Sequence, residues 1–270
     1  MPITNLNGAD IHYTDTGTPP GNPDAATVVF GHGLLFSGWM FNAQVEALED
    51  EYRCVTIDWR SQGKSPAARD GHDMDTLTLD LVALLDHLGL DTVHYVGLSM
   101  GGYVGMRLAA RYPDRVLSLA LLDTDAGPED PDVAPRYRLL ANIFRFVGPG
   151  PLRKQVEPIM FGPTTRADPA GQQVIDEFFR QLKQNKRAGI KQAVLGVADR
   201  LPVADEIGGI RARTVVIVGA DDVATPPHKA EAIATAIDGA KLEIVPDAGH
   251  SSTLEQPAVL TRLIREHFAS

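Results

Sequence analysis

The sequence contains one cysteine, Cys54. A single thiol closes no disulfide within the chain, which removes the small cross-linked secreted scaffolds and fits a reducing, cytoplasmic home. Cys54 stands in the run Arg53-Cys54-Val55-Thr56-Ile57, so it is expected in the core rather than as a nucleophile. No cluster of Cys and His has metal-ligand spacing, and no metal or cofactor is implied. No apolar run approaches the length that spans a bilayer. Met1-Pro2-Ile3-Thr4-Asn5 holds no basic stretch leading into an apolar core, so no secretory signal is expected. Basic residues are in the minority: 25 Lys and Arg against 35 Asp and Glu give a formal charge of −10. That balance speaks against nucleic acid and anionic membrane surfaces as partners. Fixed-period repeats and low-complexity tracts are absent as well. What remains is 270 residues at 44% hydrophobic and 22% charged, enough for one sizeable core carrying an insertion.

The most informative stretch is Val93-His94-Tyr95-Val96-Gly97-Leu98-Ser99-Met100-Gly101-Gly102-Tyr103. An apolar, β-branched run ends at Gly97 and a helical pattern starts just after Ser99. A strand that turns this sharply into a helix holds its turning residue at a strained φ/ψ, and side chains beside it would clash. Glycines flank it for that reason, and the serine hydroxyl is pushed into the open above the strand ends. This is the G-x-S-x-G nucleophile elbow. The helix that begins beside Ser99 offers unpaired N–H groups and a positive dipole end to a developing oxyanion.

The rest of the chain supplies a frame for that turn. Ile3 to Thr16 reads as an edge hairpin around Asn7-Gly8. Strands are expected at Thr27–Phe30, Arg53–Ile57, Val116–Leu122, Thr214–Val218 and Leu242–Val245, with helices at Trp39–Asp50, Met74–Leu88, after Ser99, from His228 and at Glu255–Phe268. Strand–helix alternation of this kind gives a doubly wound, mostly parallel sheet with its ligand site at the carboxyl ends of the strands. The rhythm breaks after Gly127. Gly127 to Asp132 is rich in proline and acidic residues, and from Val133 to about Leu201 only helical patterns occur, at Tyr137–Val147, Leu152–Phe161, Gln172–Asn185 and Ile190–Asp199. We therefore expect an α/β core of residues 1–126 and 202–270 and an inserted helical cap of residues 127–201.

A serine hydroxyl needs a base to take its proton and a third group to hold that base. His250 follows the last strand, in Ala248-Gly249-His250-Ser251, and Asp222 follows the strand before it. The chain order Ser99, Asp222, His250 is the order this elbow scaffold uses. Asp221, next to Asp222, and Asp123 or Asp125, after the strand at 116–122, are the other carboxylates at suitable strand ends. The two oxyanion donors are expected from the N–H of Met100, directly after the nucleophile, and of Leu34, in the glycine-rich loop after the first central strand. His32 in that loop is expected to prop it. Leu35, Phe36 and Trp39, with Phe144, Met160 and Phe161 of the insertion, are candidates for the substrate pocket. A carboxylate-bearing substrate would call for a cation, and Arg60, Arg136, Arg138 and Arg145 are the candidates.

These residues resemble those of the α/β-hydrolase fold superfamily across nearly the whole chain. The likeness rests on His32-Gly33, Asp58 with Arg60 and Gly63, Gly97-Leu98-Ser99-Met100-Gly101-Gly102, Gly219 with Asp222, and Gly249-His250. Leu98-Ser99-Met100-Gly101-Gly102 and Glu255-Gln256-Pro257 are similar to 3-oxoadipate enol-lactonases and cofactor-free haloperoxidase-like esterases. One departure is Ser61, where the family's loop usually has glycine after the arginine. Serine at the elbow separates the chain from the haloalkane dehalogenase and epoxide hydrolase branches, which carry aspartate there. The resemblance implies a serine hydrolase acting on a small-molecule carboxylic ester or lactone without a cofactor. A C–C bond hydrolase acting on a β-diketone and a ligand receptor on the same scaffold are the alternatives. The sequence sets no oligomeric state.

Overall fold

Short apolar, β-branched runs with no polar face to offer water become the central strands, because such runs are stable only when both faces are covered. In the computed structural model, which describes residues 2–269, β3 (Thr27–Gly31) and β5 (Val93–Leu98) are buried at every position. The other strands are β1 (Ile3–Leu6), β2 (Ala9–Asp15), β4 (Arg53–Ile57), β6 (Val116–Leu122), β7 (Arg213–Gly219) and β8 (Lys241–Val245). They form one eight-stranded sheet in the order β1-β2-β4-β3-β5-β6-β7-β8. The hairpin strands β1 and β2 join antiparallel, and β4, β3, β5, β6, β7 and β8 run parallel. The doubly wound sheet expected from the alternation is therefore present.

Register decides where the site forms. Gly31 pairs with Gly97, Gly97 with Leu121, Leu121 with Val216, and Val216 with Leu242. The parallel strands thus end nearly level, and the residues after them, His32 to Leu35, Ser99, Asp123, Asp222 and His250, emerge along one edge.

Helices α1 (Asn42–Leu48), α2 (Met74–His87), α3 (Met100–Arg111), α9 (Pro227–Ala236) and α11 (Pro257–Ala269) cover the sheet. Leu77, Leu81, Leu84 and Leu85 of α2 pack with Val104, Met106 and Leu108 of α3 in one apolar cluster, and α1 and α11 close the other face. Two expected helices are divided. The stretch from Trp39 opens as a 3-10 turn, Gly38–Phe41, before α1. At the C-terminus Pro257, which lacks an N–H, separates the short α10 (Ser252–Glu255) from α11.

Between β6 and β7 the chain is helical: α4 (Ala134–Val147), α5 (Arg153–Met160), α6 (Pro163–Ala167), α7 (Pro169–Gln184) and α8 (Arg187–Ala198). The short α6, opened by Pro163, has no counterpart in the sequence reading, and α7 starts three residues earlier than expected. Pro169 takes its first position, and the Asp168 carboxylate accepts from Gly171 N–H at its cap. Along α7, Ile175, Phe178, Phe179 and Leu182 recur at helical spacing and are buried. They share one apolar cluster with Phe30, Val96 and Leu122 of the sheet. Burying Phe178 in full contributes about 1.5–3 kcal/mol to holding this segment down.

Candidate active site

The elbow is built by contacts that tolerate no side chain. Ser99 sits at φ 52°, ψ −111°, a conformation that L residues rarely adopt. A Cβ on Gly97 would lie 2.4 Å from Gly101 O, and one on Gly101 would lie 1.9 Å from Gly31 O. Strain of about 1–3 kcal/mol at such a residue persists only where the surroundings fix it. Here Ser99 N–H donates to Leu122 O at 2.9 Å, Thr124 Oγ1 donates to Ser99 O at 2.8 Å, and Tyr95 OH donates to Gly101 O at 2.9 Å.

Ser99 Oγ lies 2.9 Å from His250 Nε2, and His250 Nδ1 lies 2.9 Å from Asp222 Oδ2. All three residues are buried. Asp222 Oδ1 accepts the N–H groups of Ala224 and Thr225 at 2.8 and 2.9 Å, and its Oδ2 accepts Thr225 Oγ1 at 2.8 Å. A carboxylate held by four donors has one fixed orientation, so the imidazole proton on Nδ1 is fixed with it. Burial alone would pull the His250 pKa down, but the charge and hydrogen bond of Asp222, with smaller contributions from Asp123 and Glu255, raise it. A basic imidazole facing a hydroxyl is an arrangement that can take the hydroxyl proton.

The other strand-end carboxylates are occupied elsewhere. Asp125 pairs with Lys229 at 2.8 Å and Arg200 at 3.4 Å. Asp123 is fully buried in the left-handed region at φ 43°. It accepts Gly219 N–H at 2.9 Å and Ser252 Oγ at 2.5 Å, so it ties the Asp222 strand end to the helix after His250. Burial and then the charge of Asp222 push its carboxyl up to about 8. Among the described residues Asp221 forms no hydrogen bond or ion pair with His250; its backbone N–H donates to Ala248 O.

The loop after β3 comes close to Ser99: a Cβ on Gly33 would lie 3.5 Å from Ser99 Cβ. Around Leu34, the N–H groups of Gly33, Leu35 and Phe36 go to Met40 Sδ, Gln62 Oε1 and Gly33 O. The Leu34 N–H has no such partner among the described residues, and Met100 N–H, at the first position of α3, has none within the helix. His32 props the loop from inside. Its Nδ1–H donates to Gly33 O at 2.7 Å and its Nε2 accepts Trp59 N–H at 3.0 Å, and burial pulls its pKa down to about 4. Ser61 takes φ 65°, the left-handed conformation that glycine would adopt more freely, and its Oγ bridges His72 Nε2 and Ala68 N–H, both at 2.9 Å.

Over Ser99 and His250 lies a cavity of about 110 Å³, roofed by Phe144, Leu152, Met160 and Ile190 of the helical segment. Above an elbow serine, a buried histidine–aspartate pair and a helical roof, the overall pattern is a recognisable one, and the alpha/beta hydrolase fold family matches residues 26–257. The chain belongs to that family. Among solved structures it is similar to a thermophilic esterase from Thermogutta terrifontis, at 33% identity and a TM-score of 0.89, over 99% of this chain and 96% of that one. It is also similar to the enol-lactonase from Burkholderia xenovorans LB400, at 27% identity and a TM-score of 0.91, with both chains covered in full, 100% each. A curated relative, 3-oxoadipate enol-lactonase 2 from Acinetobacter baylyi, is 25% identical over 94% of this chain and 96% of its own.

Of the pocket residues expected in this hydrolase, Leu35, Phe144 and Met160 line the cavity over Ser99, together with Leu34. Phe36, Trp39 and Phe161 do not, which corrects that expectation. Leu35 adopts φ 72° and turns the chain away, so Phe36 packs on Phe178 with ring centroids 4.7 Å apart. Phe36 and Trp39 face a separate, more polar cavity of about 350 Å³ beside His12 and Asp58. Phe161 stacks edge-on against the same Phe178 at 5.5 Å. Phe146, two residues after Phe144, is 75% exposed. Among the described residues no arginine lines the cavity over Ser99: Arg60 is spent on Asp80, Arg138 pairs with Asp199, and Arg136 and Arg145 are exposed.

Two roles were not expected from the sequence. Glu255 is half-buried and accepts from Gly162 N–H, Thr165 Oγ1, Gly249 N–H and Ser251 N–H, at 2.8, 2.7, 2.9 and 3.1 Å. It pins the helical segment to the His250 loop. Tyr103, Glu129 and Tyr137 stand in the cavity wall, brought there from α3, the loop after β6 and α4.

Among the described residues no group of three or more His, Cys, Asp and Glu could hold a metal ion, and no helix is long and apolar enough to cross a membrane.

Proposed function

We propose that this chain is a serine hydrolase that cleaves a carboxylic ester or lactone through an acyl-enzyme. The observation that carries the reading is the buried relay from Ser99 Oγ through His250 to Asp222, with 2.9 Å at each step. In the first half-reaction Ser99 Oγ attacks the carbonyl carbon as His250 Nε2 takes its proton. The oxyanion receives the N–H groups of Leu34 and Met100. Asp222 holds the Nδ1 proton and stabilises the imidazolium. The tetrahedral intermediate collapses, the alcohol leaves with the proton from Nε2, and the acyl group stays on Ser99. Water then attacks the acyl carbon, giving its proton to Nε2, and the acid departs as Ser99 is reprotonated. Neither redox chemistry nor a cofactor enters these steps.

The esterase and enol-lactonase names of the relatives support the ester and lactone classes. The mainly apolar cavity supports a small or medium acyl group without charge, because an unpaired carboxylate would lose its hydration there for nothing. Residues 127–201 act as a cap that sets acyl length and excludes water, which strengthens the oxyanion contacts. Stopped-flow hydrolysis of 4-nitrophenyl butyrate tests the reading. A burst equal to the enzyme concentration followed by steady turnover, with a butyryl mass increment on Ser99 after acid quench, is expected. A single turnover with no further release would instead favour a receptor that keeps its ligand.

A further inference from the structure

The cavity over Ser99 is not apolar throughout. Tyr103, Tyr137 and Glu129 line it together, close enough for each phenol to feel the charge of Glu129. Neither hydroxyl has a hydrogen-bond partner among the described residues, although Tyr103 is only 4% exposed. Burial, and next the charge of Glu129, push the Tyr137 phenol up to about 12, and burial raises Tyr103 as well, so both stay protonated. Behind them lies Arg200, its guanidinium 4.4 Å above the Tyr103 ring and its side chain 1% exposed. Its Nε donates to Gly127 O, its Nη1 to Glu129 Oε2 and Val197 O, and its Nη2 to Asp125 Oδ2 and Pro128 O. A guanidinium has five N–H donors, so Arg200 has none left for a ligand. Lys229, the other cation nearby, is bound to Asp125. Among the described residues no Lys or Arg lines the cavity. Glu129 accepts only from Arg200 and from Asp130 N–H. A carboxylate with two partners has lone pairs to spare.

This part of the pocket therefore offers two hydroxyls and a spare acceptor but no cation. Resting on the ester-hydrolase reading above, we propose that Tyr103, Tyr137 and Glu129 form a subsite for a hydroxyl group on the acyl chain, and that Glu129 excludes acyl chains ending in a carboxylate. A substrate hydroxyl can donate to Glu129 while accepting from a tyrosine. A substrate carboxylate would meet a fixed negative charge with every nearby guanidinium proton already committed. The substrate class that follows is an ester or lactone of an uncharged, hydroxylated medium-chain acid.

Three 4-nitrophenyl esters of equal chain length test this: the hexanoate, the 6-hydroxyhexanoate and the hemiadipate, whose chains end in methyl, hydroxyl and carboxylate. The wild-type protein should process the 6-hydroxyhexanoate within about threefold of the hexanoate in kcat/KM, whereas a wholly apolar pocket rejects an added hydroxyl by roughly a hundredfold. The hemiadipate should be worse than the hexanoate by about a hundredfold or more. In the double variant Tyr103→Phe with Tyr137→Phe, the ratio of hydroxyhexanoate to hexanoate should fall by about tenfold. In Glu129→Gln the ratio of hemiadipate to hexanoate should rise by about tenfold or more. The readouts are ratios, so a general loss of rate in a variant leaves them interpretable, and the wild-type ratios stand without any variant. Rejection of the hydroxy ester by a hundredfold, or equal use of the hemiadipate, overturns the subsite and leaves the esterase reading intact. Hydrolysis of none of the three esters overturns the esterase reading itself.

Discussion

Replacing Asp222 by Asn tests the relay through a change of one atom. Asp222 Oδ1 holds two backbone N–H groups, and Oδ2 faces Thr225 Oγ1 and His250 Nδ1. An amide at this position keeps its oxygen on the two N–H groups, since turning it round would bring the amide hydrogens against both. The NH2 then faces His250 Nδ1 and donates to it. The imidazole responds by carrying its proton on Nε2, where it points at Ser99 and cannot accept the hydroxyl proton. A tautomer fixed the wrong way costs about 10⁴-fold in turnover, or ~5 kcal/mol of transition-state stabilisation. The backbone bonds survive, so the melting temperature should move by only a few degrees. The assay is steady-state hydrolysis of 4-nitrophenyl butyrate, with a thermal melt on the same preparation. Asp221→Asn, one residue away, should stay within about threefold of wild type, the scale of a surface substitution. Retention of more than a tenth of the activity in Asp222→Asn, or a larger loss in Asp221→Asn, refutes the assignment.

Because Asp222 raises the His250 pKa above the usual 6.5, and the working base is the neutral imidazole, the acid limb of kcat/KM should have its midpoint above pH 6.5. The same shift stabilises the fold fully below pH 6.5, and that contribution is lost as pH rises through the folded value. A limb at or below 6.5 in a pH–rate profile contradicts the charge coupling. Gly101→Ala should destabilise the protein by about 1–3 kcal/mol or more in a urea melt, since the new methyl would fall 1.9 Å from Gly31 O. Met160→Ala and Phe144→Ala should shift preference towards longer acyl chains by tens of fold at most, about 1–3 kcal/mol. A lower melting temperature with an unchanged ratio of long-chain to short-chain rates would make these residues part of the cap's own core instead.

The parts of the fold that could be read from sequence are those imposed by backbone sterics. Gly97 and Gly101 are required because Gly31, Ser99 and α3 meet at less than a side chain's width, and that requirement shows as a motif. The strand–helix alternation is visible because central strands have no polar face. The pocket was less legible. Loop position marked Phe36, and helical periodicity marked Phe144, Met160 and Phe161, as apolar without saying towards what they point, and the left-handed turn at Leu35 sends Phe36 to Phe178 rather than to Ser99. The Tyr103–Glu129–Tyr137 part of the cavity is assembled from three separate elements, and Glu129 reads in sequence as one more acid in a polar loop. Glu255 stood out only as part of Glu255-Gln256-Pro257, and its role was hidden, because its four donors come from stretches about 90 residues apart as well as from its own loop. No local pattern records such a meeting.

The central claim is that Ser99 is the nucleophile. It is tested most directly by exposing the protein and its Ser99→Ala variant to a fluorescent serine-directed phosphonate, then mapping the adduct by peptide mass spectrometry. The account predicts one stoichiometric adduct on Ser99 in the wild type, none in the variant, and an unchanged melting temperature. Labelling that persists in Ser99→Ala at another serine would contradict it.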